Sequence, residues 1–245
     1  MVFQLSSFCQ DKKAEQVREQ KRCVIFSGLA GLCLPQGDLG NDYGTIGEIG
    51  ASVMYQNKNR WLMSVDFGYF FGNTVKKDPI ENLRNADGNV IGNDGSYATF
   101  KIFHRGFQFP LIKFGKTIPL VKNPKNNTLG GLTLLAGAGW LQNWTYIQDL
   151  SKKTPQFSKD YIKGYDRLTS GPGFGAWVGY IYLPTKSKLN FHLEGGYFVA
   201  STENRRYDFS TNTPSGKNRI DGMIQLRLKI CFTVKSKAEE EFYYY

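Results

Sequence analysis

Residues 220–235 read IDGMIQLRLKICFTVK, and this stretch decides the fold class. Apolar side chains fill most even positions, and polar or charged side chains fill most odd positions. Successive side chains of a strand point to opposite faces, so the stretch predicts one strand with an apolar face and a charged face. It is longer than a common strand of roughly 5–6 residues. A tilted strand crosses a bilayer with roughly 9–11 residues, so the pattern predicts a membrane β-barrel.

Seven further segments carry strand-like patterns, which gives eight antiparallel strands, an even number typical of the smallest common membrane barrels. These segments are residues 23–34, 45–56, 61–72, 97–117, 128–146, 167–183 and 189–202. In the fourth segment the apolar residues change from even to odd positions, which predicts a β-bulge near Gly106.

The connections between these segments alternate in length. Residues 57–59 and 184–188 are short, and residues 118–127, which alternate with the long connections, are rich in Asn and Pro. Residues 73–96, 147–166 and 203–218 are long, and residues 35–44 are a short exception among these. Outer-membrane barrels have short periplasmic turns and longer outward loops. The spacing therefore predicts an outer-membrane barrel with both termini in the periplasm.

The composition agrees with this fold class. The chain has 245 residues, 15% aromatic residues, 27 glycines and a formal charge of +10. No run of about 18 apolar residues occurs, so no transmembrane helix is predicted. The basic residues are dispersed, which favours lumen charge and contact with anionic lipid over nucleic-acid binding. We expect a polar extension at 1–22, a barrel at 23–235 and an acidic, aromatic tail at 236–245.

The N-terminus and the cysteines leave alternatives open. Residues 1–9 are typical of the end of a truncated secretion signal, and lipidation of Cys9 is the alternative. The four cysteines have no metal-ligand spacing, and no disulfide is assigned from the sequence.

The run GLAGLCLPQGDLG at residues 28–40, followed by Tyr43 and Gly44, resembles the first hairpin of small outer-membrane β-barrels of Bacteroidota. Members of that group include accessory barrels of the type IX secretion system and of other envelope machines, as well as orphan barrels. The resemblance implies an outer-membrane location and a role beside other envelope proteins. The chain departs from it at the C-terminus, where a further tail follows the last strand.

The polar faces of the strands predict a salt-bridged plug, because an eight-stranded interior is filled by side chains and buried charges need partners. A selective pore is the alternative. Removal of one lumen charge, as in Lys229→Gln, is expected to be better tolerated than a lipid-facing charge, as in Leu228→Arg. The predicted lumen set is Glu48, Ser64, Asp66, Lys101, Arg105, His192, Glu194, Asp221, Gln225, Arg227 and Lys229.

Other motifs have simpler interpretations than catalysis or ligand binding. His104 and His192 lack the serine motif of a lipid-modifying enzyme, so lumen histidines are expected. Asn and Asp beside Gly at 85–89 and 93–96 predict turns and lack the EF-hand calcium pattern. Several aromatic residues are expected in interfacial girdles, namely Trp61, Trp140, Trp144, Trp177, Tyr180 and Tyr182.

The sequence thus predicts a non-enzymatic outer-membrane barrel that acts as a structural or accessory subunit, without cofactor, metal or catalytic residues. The alternatives are a lipid-modifying enzyme and a soluble lipocalin-like carrier, against which the outward aromatic faces argue. Expected partners are membrane lipid and other envelope proteins. The partner-binding residues are predicted in the tail, at Phe242, Tyr243, Tyr244 and Tyr245.

Overall fold

Eight long antiparallel strands close into a barrel in the computed structural model, which describes residues 22–120, 130–157, 161–183, 190–209 and 211–235. Each strand pairs with its neighbours in sequence, and the first pairs with the last. This confirms the predicted all-β, eight-stranded barrel. The strands are β1 (Cys23–Gln36), β2 (Ile46–Gln56), β3 (Trp61–Gly72), β4 (Phe100–Ile118), β5 (Gly131–Asp149), β6 (Thr169–Tyr182), β7 (Asn190–Asn204) and β8 (Lys217–Lys235).

Short elements occupy the connections. The helix α1 spans Gly37–Asp42, inside a segment expected to be a loop, and three 3-10 turns lie at Glu81–Leu83, Pro155–Phe157 and Tyr161–Gly164. Two small hairpins pair Val90–Ile91 with Tyr97–Ala98 and Tyr207–Asp208 with Thr213–Pro214. Among the described residues, no helix is both long and apolar enough to span a membrane.

The two ends of the barrel differ. We call the end with the connections after β2, β4 and β6 the turn end, and the end with α1 and the connections after β3, β5 and β7 the loop end. The turn after β2 is tight: the Asn57 amide donates to the Trp61 carbonyl at 3.0 Å, and Arg60 adopts a φ of 64°. The long connections gather at the loop end, as the sequence predicted.

A β-bulge in β4 changes which residues face the lumen: even positions face inward before the bulge, and odd positions face inward after it. The pairing skips Phe109 and Pro110, which lie opposite the single residue Phe67 of β3. One extra residue moves every later side chain to the other face, and proline is tolerated there because no ladder hydrogen bond is required of it. His104 before the bulge and Lys113 after it therefore both point inward. The bulge was predicted at Gly106, a few residues too early.

The lumen positions predicted for Lys101 and Arg105 are wrong. Lys101 is exposed, and the partly exposed Arg105 guanidinium lies 5.2 Å from the centre of the Phe103 ring. The error arose because the apolar Phe100 and Ile102 were expected to face lipid. The odd-numbered positions between and after them were therefore expected to face the lumen. Those two side chains instead pack with Ile80, Val90 and Ile147 in an apolar cluster of the loop-end connections.

Candidate functional site

Six charged side chains meet in the middle of the barrel. We call them the lumen charge cluster: Glu48 (β2), Asp66 (β3), Lys113 (β4), Glu194 (β7), Arg227 and Lys229 (β8). All six are almost completely buried, and each comes from an inward-facing strand position. Three are cationic and three are anionic, so the cluster has no formal net charge.

The two lysines bridge the same pair of carboxylates. Lys113 Nζ lies 2.7 Å from Asp66 Oδ2 and 2.6 Å from Glu194 Oε1. Lys229 Nζ lies 2.8 Å from Asp66 Oδ2 and 3.3 Å from Glu194 Oε1. Since β3 and β7 lie on different sides of the barrel, these contacts tie opposite walls together across the lumen.

Arg227 is the third cation of the cluster. Its Nε donates to Glu48 Oε2 at 2.9 Å, and Nη2 lies 2.8 Å from Glu48 Oε1, a bidentate arrangement. Nη2 also donates to Gln108 Oε1 at 2.6 Å. Isolated charges are costly to bury, and close ion pairs with further hydrogen bonds offset that cost.

Trp177 belongs to the lumen and not to an interfacial girdle, contrary to the prediction. Its Nε1 donates to Gln225 Oε1 at 3.1 Å, and Lys113 Nζ lies 4.8 Å from the ring centre. Glycines leave the space for the indole: a Cβ on Gly196 would lie 2.2 Å from Trp177 Cδ1 and one on Gly175 2.8 Å from Cη2. Trp177 therefore fills the lumen beside the lumen charge cluster.

Both histidines are buried in the lumen. His192 Nε2 lies 3.0 Å from Thr133 Oγ1, and His104 Nε2 lies 3.0 Å from Asn143 Oδ1. The Tyr43 ring packs against His104 with centroids 4.3 Å apart. Neither histidine has a serine hydrogen-bond partner within the described residues, so the geometry gives no support to the lipid-modifying alternative.

The helix α1 lies at the loop end of the barrel, where it contacts β1 and β8. Leu39 is fully buried, and Asp42 pairs with Lys77 at 3.0 Å and with Arg219 at 2.7 Å. Burial alone would raise the pKa of Asp42, but the hydrogen bonds from Lys77 and Arg219 outweigh it and lower that pKa. Burial raises the pKa of the neighbouring Tyr43 to about 12. Arg219 Nη2 also contacts Asp221 Oδ1 at 3.2 Å.

The structure brings the other predicted lumen residues inside, at different levels. Ser64 and Gln225 are buried, and Asp221 accepts a 2.6 Å hydrogen bond from Thr202 Oγ1 near the loop end. Lys113 is the member of the lumen charge cluster that sequence reasoning missed. A bulge placed at Pro110 would have revealed it, because the later odd positions then face inward.

The Asn- and Asp-rich turns and the cysteines form no ligand-binding arrangement among the described residues. The amides of Asp87 and Asn89 donate to Asn85 Oδ1, so this segment folds back on itself. Asp94 pairs with Lys153 at 2.7 Å. Cys23, Cys33 and Cys231 are buried, and none of the three forms a disulfide with another described cysteine. In the described part of the chain, no group of three or more His, Cys, Asp or Glu side chains is arranged to hold a metal. The tail residues Phe242–Tyr245 lie outside the described residues.

Comparison with known proteins found no matching family model and no matching curated protein. Among solved structures, the chain is similar to Ail, the attachment invasion locus protein of Yersinia pestis (11% identity, 87% of this chain and 99% of that chain, TM-score 0.42). It is also similar to the outer-membrane protein OprG from Pseudomonas aeruginosa (13%, 90% and 98%, 0.38) and to Neisserial surface protein A (14%, 86% and 97%, 0.35). These scores are low, so the fold rests on the strand pairing described above.

Proposed function

We propose that this chain is a non-enzymatic, integral outer-membrane β-barrel with a closed lumen. The proposal rests on the distribution of apolar and charged residues, which is the reverse of that in a soluble barrel. The exterior is apolar, and the interior contains the paired charges. Soluble proteins rarely leave large continuous apolar patches uncovered, whereas lipid covers such a surface in a membrane barrel. Exposed apolar side chains on the outer wall include Leu32, Ile49, Val53, Val65, Phe67, Ile112, Leu134, Phe174, Val178, Leu193, Ile224, Leu226, Leu228 and Ile230.

The aromatic residues support a membrane position. Trp61, Tyr180 and Tyr182 are exposed near the turn end, and Trp140 and Tyr146 are exposed nearer the loop end. Trp and Tyr are enriched at both membrane–water interfaces. We place the turn end in the periplasm, since short periplasmic turns and longer outward loops are usual for such barrels.

The closed lumen argues against a pore. Arg227, Lys113 and Lys229 fill the middle of the barrel with their partners, and the inward-facing Phe70 and Phe198 are also fully buried. We expect the purified protein to require detergent for extraction, to migrate differently on a gel before and after heating, and to give no stepwise conductance in a planar bilayer. Extraction by a detergent-free alkaline wash would contradict the membrane assignment, and regular conductance steps would contradict the closed lumen.

The proposal includes an accessory role in a larger envelope complex, of the secretion or barrel-assembly type. Because the lumen is filled by side chains, contact with other molecules would be made by the loops, the outer wall and the tails. The sequence EEEFYYY at residues 239–245 combines solvent-favouring charge with apolar residues suited to a partner's pocket.

Deletion of residues 237–245 tests this role. We expect the shortened protein to assemble and remain heat-modifiable, because the deleted residues follow β8, but to lose its co-purifying envelope protein. Each aromatic side chain buried in a partner contributes on the order of 1.5–3 kcal/mol. Substitution of Glu239–Glu241 by Gln is the matched control that keeps the aromatic residues. Undiminished partner recovery after the deletion would remove the basis for the tail's role.

A further inference from the structure

Basic residues lie at the described part of the turn end: Lys58 and Arg60 in the turn after β2, and Lys116 near the end of β4. The sequence of the connections at 57–60, 116–130 and 183–189 contains seven Lys and Arg residues and no Asp or Glu. At the loop end, by contrast, the charges are mixed and paired, as in Asp94 with Lys153 and Asp42 with Lys77. Basic residues beside an apolar wall attract anionic headgroups, since each basic residue near such a surface adds to the binding.

One of these basic residues is held on the outer wall by aromatic rings. Lys116 in β4 is exposed and pairs in register with Trp61 in β3. Its Nζ lies 5.7 Å from the centre of the Trp61 ring, which stacks on Phe114 with centroids 4.9 Å apart. No acidic side chain of the described residues forms an ion pair with Lys116. The ammonium group is therefore oriented at the apolar boundary and available to an anion.

An apolar groove runs along the wall from this position. Its volume is about 640 Å³, and it is lined by Trp61, Phe114, Lys116, Leu134, Ala136 and Ala176, among others. Ala136 and Ala176 are paired across β5 and β6, with Phe114 on one side and Tyr197 on the other. Two small side chains between two aromatic ones leave a depression in the outer wall. A flexible hydrocarbon chain fits such a depression.

We propose that this groove is a binding site for one anionic phospholipid, with its phosphate on Lys116 and one acyl chain between Phe114 and Tyr197. The inference rests on the proposed membrane location. The headgroup chemistry follows from the basic turn end, and the acyl chain follows from the groove continuous with Lys116. A bound lipid would cover the wall at β4–β6 with the same geometry in every molecule.

A second groove supplies the matched control. It has a volume of about 620 Å³ and is lined by Gly28, Ala30, Ala51 and Phe67, among others, with no charged residue in its lining. A Cβ added at Gly28 would meet no atom within 4 Å, and Gly28 lines this groove, so Gly28→Leu places a side chain in it. Ala176→Leu fills the proposed site in the same manner.

Native mass spectrometry of the full chain in detergent, titrated with phosphatidylglycerol or phosphatidylcholine, tests the site. We expect one phosphatidylglycerol to be retained in preference to phosphatidylcholine. Lys116→Gln should weaken phosphatidylglycerol binding about fivefold and abolish the preference. Lys116→Arg should preserve the preference, Ala176→Leu should weaken both lipids, and Gly28→Leu should change neither.

Equal binding of the two lipids by the wild type, or no effect of Lys116→Gln, would overturn the inference. Equal loss in Ala176→Leu and Gly28→Leu would also overturn it. The proposed function fails separately, by recovery of the protein without detergent. A heat-modifiable, detergent-requiring protein without lipid preference would leave the membrane assignment intact and remove this site alone.

Discussion

Arg227→Met is expected to abolish or severely weaken assembly of the barrel. The substitution leaves Glu48 without its bidentate partner and gives the lumen charge cluster a net negative charge. Removing one partner of a buried ion pair typically costs about 3–5 kcal/mol, because the other charge stays buried without compensation. Heat-modifiable gel mobility and the urea midpoint of unfolding in lipid vesicles measure the loss.

The double variant Glu48→Gln with Arg227→Met is the control. It removes one cation and one anion, so the cluster is neutral again, and replacing a buried pair is often close to neutral in stability. We expect it to recover most of the stability lost in Arg227→Met. If both variants are equally unstable, the loss of stability comes from the packing of the arginine side chain and not from the net charge of the cluster.

The same contacts revise the expectation for Lys229→Gln. From the sequence, this change was expected to be better tolerated than Leu228→Arg, because it removes one lumen charge. In the structure, Lys229 contacts both Asp66 and Glu194. Without it, these two carboxylates keep Lys113 and the more distant Arg227, whose Nη1 lies 3.8 Å from Asp66 Oδ2 and 3.7 Å from Glu194 Oε1 and which also neutralises Glu48. A neutral amide at this position therefore leaves an excess anion in a buried site.

Leu228→Arg is expected to cost about 2–4 kcal/mol if the wall at this position lies in the hydrocarbon layer. Leu228 is 47% exposed on the outer face of β8, away from the lumen charge cluster. Since the cost of a lipid-facing charge falls to about 0–1 kcal/mol near the interfaces, Val234→Arg should be mild. Val234 is 59% exposed on the same face of the same strand, close to the turn end.

The comparison of these two variants tests whether Leu228 lies deeper in the bilayer than Val234. Unfolding in vesicles should separate Leu228→Arg from Val234→Arg by at least about 1 kcal/mol. Equal stability of both variants with the wild type would mean that the wall at β8 is in contact with water.

Strands with unbroken alternation were predictable in detail. Trp61–Gly72 has the predicted bounds, and β8 begins at Lys217, three residues before the predicted start. In both strands the hydrophobic pattern has one phase throughout, and burial on one side suffices to determine the faces. The closed eight-stranded barrel follows from such strands together with the alternating connections.

The composition of the lumen was predictable only in part. A strand pattern states which side a residue faces, but the partners of Arg227 come from β2 and β4, far away in sequence. The face of Lys113 depended on the position of a single bulge, and the place of Trp177 depended on glycines in two strands. Local periodicity does not contain these long-range conditions. Helix α1 was missed because six residues are too few for a periodic signal.

The pairing of β1 with β8 has a consequence for biosynthesis. Cys23 lies opposite Lys235 and Gln36 opposite Gly222, so the ladder that completes the barrel joins the first and last strands of the chain. Until β8 has been made, β1 has one unpaired edge, and such edges promote aggregation of incomplete chains. Closure also requires contacts of very high sequence separation, which slows folding. An incomplete chain therefore exposes this edge of β1 until β8 is available to pair with it.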